Sequence, residues 1–187
     1  MKKQCLVFAF ILLLVAGCSS GKASSQEIKT VGDVQLSSLL NESGTYVGNN
    51  SDVLALLSHL PGGETVEKVN LSDEKITVTY DVKGNISDEA FQSYWFSGNQ
   101  DRNKTLFYNA IHLSLLVPNA RGYEFHVQEK SMSMTRDEMR MILSDEFADL
   151  PSEDELMEEE TVRAFITTHE EKLEKMANNY EDYVDEK

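Results

Sequence analysis

The sequence predicts an α+β domain in which helices cover a small antiparallel sheet of about three strands, two layers in all. Three patterns predict it. Segments within residues 69–82 and 123–127 alternate apolar and polar side chains with period two. Segments within 53–60, 106–115, 139–147 and 162–183 repeat apolar residues at steps of three and four. The two kinds follow one another along the chain, and packing the helices against the sheet buries both sets of apolar faces. The 187 residues divide into a signal peptide (1–17), a flexible tether (18–33), the α+β domain (34–150) and an acidic C-terminal helix (151–187).

Lys2 and Lys3 precede an apolar run from Leu6 to Ala16. A bilayer span needs about 20 residues, so this shorter run reads as a signal peptide. Val15-Ala16-Gly17-Cys18 resembles the lipobox of bacterial lipoproteins, in which the cysteine thiol is diacylglycerylated and becomes the new N-terminus. Cys18 is therefore the expected lipid attachment site, and the outer face of the cell membrane the expected location. Two acyl chains make a stable anchor where a single one is marginal. The chain has two cysteines; Cys5 leaves with the leader and Cys18 carries the lipid. Disulfides, thiolate metal sites and cysteine nucleophiles are excluded from the exported part.

Residues 1–17 hold two lysines and no acid, so their removal takes the formal charge from -15 to -17. Such a field repels nucleic acid and anionic headgroups. Solubility is the ordinary use of an acidic surface.

Residues 21–33 are polar and suit a linker. Val34, Leu36, Leu39 and Leu40 are compatible with either an edge strand or a helical turn. Asn50 or Ser51 caps a helix of about ten residues whose buried face is Val53, Leu56, Leu57 and Leu60, ended by Pro61-Gly62-Gly63. Val69 and Leu71, then Ile76, Val78, Tyr80 and Val82, form a hairpin about the turn Ser72-Asp73-Glu74. Ser87 to Asn103 combines a helix start at Ser87-Asp88-Glu89 with an aromatic segment, Tyr94-Trp95-Phe96, that runs into a loop. Trp95 is either a core residue, the commoner fate of a large aromatic, or a binding platform.

A helix follows from about Asp101 to Leu116, with Leu106, Phe107, Ala110, Ile111 and Leu115 inward, closed by Pro118-Asn119 and Gly122. Tyr123, Phe125 and Val127 mark a third strand continuing towards Met132. Thr135-Arg136-Asp137-Glu138 is a capping box for a helix that buries Met139, Ile142, Leu143 and Phe147. Ser152-Glu153-Asp154-Glu155 repeats the device at the start of the last helix. That helix has a stripe of Val162, Ile166, Leu173, Met176, Tyr180 and Tyr183 that serves either the same core or a partner helix.

Tyr46-Val47-Gly48-Asn49-Asn50-Ser51, the helix ending at Leu60-Pro61, the strand Ile76-Thr77-Val78-Thr79-Tyr80, the helix around Leu106 to Leu116 and the Thr-Arg-Asp-Glu helix start together resemble an uncharacterised domain of Firmicute lipoproteins. The resemblance covers roughly Leu36 to Leu150. That family usually reads Tyr-Val-Gly-Asp-Asn-Ser, so Asn49 stands where an aspartate is common. The same domain is associated with the extracytoplasmic part of membrane proteins similar to β-lactam-sensing metallopeptidases. The resemblance implies a Gram-positive envelope and carries no established activity.

No two of His59, His112, His126 and His169 lie three to five residues apart, and His169-Glu170-Glu171 lacks the second histidine of a zinc helix. No serine elbow and no glycine-rich phosphate loop is present. No catalytic residue, metal or cofactor is expected. The candidate partner-binding residues are Tyr46, Gly48, Asn49, Asn50 and Ser51. Gly48 permits close backbone approach or positive φ, and the rest offer polar groups beside free helix amides; capping the helix is their plainer use. The expected function is that of a lipid-anchored, non-catalytic binding or sensory module whose partner is another envelope protein or a small ligand. A cell-envelope hydrolase with an active site assembled from distant residues is the alternative.

Overall fold

A computed structural model describes residues 27–98 and 102–184. Cys18 and the lipobox-like residues lie outside the described residues. Ten regular elements follow one another: α1 (Leu36–Leu40), α2 (Asn50–His59), β1 (Val66–Asn70), β2 (Lys75–Tyr80), α3 (Asp88–Phe96), α4 (Arg102–Leu116), β3 (Gly122–Val127), β4 (Lys130–Thr135), α5 (Arg136–Glu146) and α6 (Glu159–Asn178). The fold is α+β, as its periodicities predict.

The sheet differs from expectation in two ways. It has four strands in the order β1-β2-β3-β4, and it is mixed rather than antiparallel. The β1-β2 and β3-β4 pairs are antiparallel hairpins, whereas β2 and β3 run parallel with Ile76 beside Tyr123 and Tyr80 beside Val127. Helix α4 is the reason: its fifteen residues rise about 22 Å at 1.5 Å per residue. It carries the chain back along the sheet, so β3 starts at the same end as β2. The strand read as continuing towards Met132 instead turns at Gln128, which adopts φ 53°, and returns as β4.

Two ambiguous stretches become helices. Leu36–Leu40 is α1, with Leu39 and Leu40 buried. Asp88–Phe96 is α3, started by Ser87 Oγ, which accepts from Ala90 N–H at 3.1 Å. Trp95 is a core residue at 1 % exposure.

Helix α4 departs most from its sequence reading. Thr105, Asn109, His112 and Ser114 are buried along with its apolar residues, so the helix has no wet face. It packs on β3 and β4 on one side and on α5 and α6 on the other. Part of its polar complement is held internally: Asn109 Nδ2 donates to Pro61 O and to Tyr80 Oη, both at 3.1 Å, while Asn109 Oδ1 is buried without a hydrogen-bond partner among the described residues. His112 Nδ1 lies 3.0 Å from Tyr108 O. Because a carbonyl only accepts, that nitrogen carries the proton.

Burial pushes the His112 imidazole down from 6.5 to about 4, against the weaker opposing effect of its bond to Tyr108. Above the ordinary value both folded and unfolded chains hold it neutral, and below it only the unfolded chain takes up the proton. Stability falls by about 3 kcal/mol between pH 6.5 and 4 from this group alone, at 1.36 kcal/mol per pKa unit. Urea unfolding at pH 7 and pH 4 should show a drop that shrinks by about that amount in His112→Gln; an unchanged drop would refute the assignment.

The terminal segments belong to the same core. The expected tether reaches residue 33, yet Ile28 and Val31 are buried and Lys29 is fixed. Its carbonyl accepts from Gly62 N–H at 3.0 Å and Tyr94 Oη at 2.6 Å, and its ammonium lies 3.0 Å from Glu64. The second capping box, Ser152 with Glu155, closes a 3₁₀ turn at Glu155–Met157 rather than α6, which starts at Glu159. Helix α6 turns Val162, Phe165, Ile166, Leu173, Met176 and Ala177 inward, and Tyr183 beyond it stacks on Phe107 with centroids 5.6 Å apart. The stripe thus serves its own domain.

Candidate functional site

The elements give the domain two ends. At the proximal end the chain joins the fold at Lys29, against Gly62 and Tyr94, beside the C-terminal ends of α2 and β2. At the distal end, Arg121 N–H donates to Glu74 O at 2.7 Å, and Val47 N–H donates to Asn119 Oδ1 at 2.8 Å. Helix α2 starts at the distal end, so the Tyr46–Ser51 loop that leads into it faces away from the point where the chain arrives.

That loop is a tight turn closed by Asn49 N–H donating to Tyr46 O at 2.8 Å. Val47 is buried and Tyr46 is 51 % exposed. Gly48 has no positive φ; a Cβ there would meet the Tyr46 ring at 3.2 Å, a tight contact that the exposed ring would have to yield to. Asn49, not Asn50 or Ser51, is the N-cap. Its Oδ1 faces Asp52 N–H at 3.5 Å and its Nδ2 donates to Asp52 Oδ2 at 2.5 Å. Asn50 and Ser51 form the first turn of α2 and stay exposed. The five candidate residues therefore sit together, with Tyr46, Asn50 and Ser51 open to solvent and Gly48 and Asn49 shaping the turn.

Asn119 is the residue that sequence reasoning missed. It reads as a helix terminator after Pro118, but its side chain holds the loop across 72 positions of sequence. Asn119→Ala leaves the partly buried Val47 amide unpaired and should cost about 1–3 kcal/mol. A thermal unfolding midpoint within a degree of the parent would refute this.

Several of the remaining charged side chains pair locally. His126 and Glu124 lie 3.1 Å apart on the uncovered sheet face, next to the half-buried Thr77 and Thr79. A hollow of about 440 Å³ on α6 is lined by Thr168, His169, Glu171, Lys172 and Lys175. His169 Nε2 is 2.9 Å from Asp149 Oδ2, which holds the Asp149 carboxyl below its ordinary range, and Lys172 is 3.1 Å from Glu146. His59 lies near the end of α2, and His112 is inside α4. Among the described residues no three His, Cys, Asp or Glu side chains converge in a way that could hold a metal ion, and no helix is long and apolar enough to cross a membrane.

The fold and this loop define a class: a small α+β domain with a mixed four-stranded sheet and an exposed turn at the end opposite Lys29. The chain belongs to the family described as a domain of unknown function, DUF4825, which it matches over residues 39–137. That range runs from α1 to the first turn of α5 and contains the whole sheet and the Tyr46–Ser51 loop, in agreement with the resemblance carried by those residues. No curated protein and no solved structure matches the chain.

Proposed function

We propose that the protein is a lipid-anchored module on the outer face of a cell membrane that binds a partner or ligand through the Tyr46–Ser51 loop without catalysing a reaction. The observation that carries this reading is the opposition of the two ends. The chain arrives at Lys29, and the exposed Tyr46 ring is presented at the far end of α2 and α4. Nine residue steps lead from Cys18 to Glu27, the first described residue, which limits the reach of the tether to about 30 Å at 3.3–3.6 Å per residue. An anchor at Cys18 would hold the proximal end near the lipid and turn the loop outwards.

Cys18→Ser should move the protein from the membrane to the soluble fraction; retention on the membrane would refute the anchor. A photo-crosslinking residue at position 46, compared with one at the exposed Gln92 of α3, tests the loop. A single adduct formed from position 46 alone and abolished by Asn50→Ala together with Ser51→Ala supports the reading. Identical adducts from both positions would overturn it. The alternative, a cell-envelope hydrolase, has the His169–Asp149 and His126–Glu124 pairs as candidate bases among the described residues, so an activity on cell-wall or peptide substrates lost in His169→Ala or His126→Ala would favour it.

A further inference from the structure

The two edges of the sheet are built differently. The β1 edge is blunted: its register slips between Val66 and Lys68, and Lys83 Nζ occupies Val66 O at 2.8 Å. Bulges and charges of this kind keep an edge from pairing further. The β4 edge is blunted only at its C-terminal end, where Glu138 Oε2 accepts from Thr135 N–H at 2.8 Å. Its six residues pair with β3 in unbroken register, without proline and with Lys130 as the one charge.

Ladder geometry identifies the free groups. Arg136 N–H donates to Arg121 O at 3.0 Å, and antiparallel pairs alternate between bonded and non-bonded. Lys130, Met132 and Met134 therefore bond inward to β3, while the N–H and C=O of Ser131 and Ser133 point outward. Both serines are exposed, and among the described residues no group outside the ladder bonds their main chain. Met134 lies on the core side and the serine hydroxyls on the open side.

The charges around the strand select the occupant. Glu129 precedes β4 and Asp137 follows it; Arg136 between them is buried against Glu153, and Glu138 is held by Thr135, so exposed acids bracket a strand that contains none. A second copy pairing β4 with β4 antiparallel would bring Glu129 of one chain near Asp137 of the other, within two chains each of formal charge -15. We infer that β4 accepts an extended segment of a partner protein as a fifth strand, its centre uncharged and β-prone and its ends basic. Main-chain bonds to Ser131 and Ser133 would supply the affinity and the flanking acids the selectivity. This surface is separate from the Tyr46 loop, and its test is independent of the lipid anchor.

The probe is the blocked peptide Lys-Lys-Thr-Val-Ser-Val-Thr-Lys-Lys, titrated into the ¹⁵N-labelled protein from residue 18 onward. In the free protein the amides of Ser131 and Ser133 should exchange with solvent at least a hundredfold faster than those of Met132 and Met134. The peptide should shift and protect those two amides, and a counterpart with glutamates in place of the lysines should bind at least tenfold more weakly. Ser133→Pro removes one outward donor at a position where an edge tolerates proline; it should weaken binding at least tenfold while keeping the remaining spectrum. Should that variant not fold, the exchange and shift maps of the parent decide alone. Protection of Ser131 and Ser133 in the free protein, shifts mapping elsewhere, no binding at millimolar peptide, or protection that rises with protein concentration would each overturn the proposal, the last in favour of self-association.

Discussion

Ending the chain after Leu150 is expected to abolish cooperative unfolding. The missing part contributes Val162, Phe165, Ile166, Leu173, Met176 and Tyr180 to the core, all nearly inaccessible. At about 1.5–3 kcal/mol for each large apolar side chain, the loss is on the order of 10 kcal/mol, and a domain of this size has about 5–15 kcal/mol in total. The outer side of α4, including Phe107 and the buried His112, would face water. Far-UV dichroism should keep part of the helical signal while the thermal transition disappears. A sharp transition within 10 °C of the parent would show that α6 is an accessory and that the family's shared unit is complete without it.

The second large effect is expected at Trp95. Its ring lies 4.8 Å from Tyr80 and 4.8 Å from Tyr94, and its Nε1 donates to Thr65 Oγ1 at 3.2 Å. Trp95→Ala should cost about 3–5 kcal/mol, the usual range for deleting a buried aromatic, and Trp95→Phe less. Gly62 reports on the same contact from the other side. It has φ 75°, and a Cβ there would come 2.5 Å from the Trp95 ring. Gly62→Ala combines left-handed strain with overpacking and should cost about 2–4 kcal/mol. Urea unfolding followed by circular dichroism measures all three; a loss under 1 kcal/mol for Trp95→Ala would assign the ring to a surface role.

What could be read in the sequence was whatever its local periodicity encodes. The alternation through Ile76, Val78 and Tyr80 and the Thr135–Glu138 capping box are properties of neighbouring residues, and both are realised in the fold. The parallel pairing of β2 with β3 could not be read, because it depends on the direction in which α4 crosses the sheet. The burial of Asn109 and His112 was hidden for a related reason. Polar side chains mark a wet face by pattern, and only their partners on other elements, Pro61 and Tyr80 for Asn109, show that the face is dry. The candidate loop was legible as a group of residues, but its cap was misplaced by one position, and the role of Asn119 is a contact between distant segments that no local pattern contains.

The attachment of both terminal segments to one core has a consequence for how the protein comes to be folded. Ile28 and Val31 pack near the start of the described chain and Tyr180 near its end, while β2 cannot gain its parallel neighbour until the crossover through α4 is complete. Such non-local closure is slow because the intervening loop must be ordered before it is rewarded. No N-terminal portion carries the partners needed to shield α4, so a chain emerging from its N-terminus stays open until α6 has emerged. If the chain is exported before it folds, as the proposed anchor requires, this delay would keep it in a passable state for the whole passage and let the final helix act as the closing step.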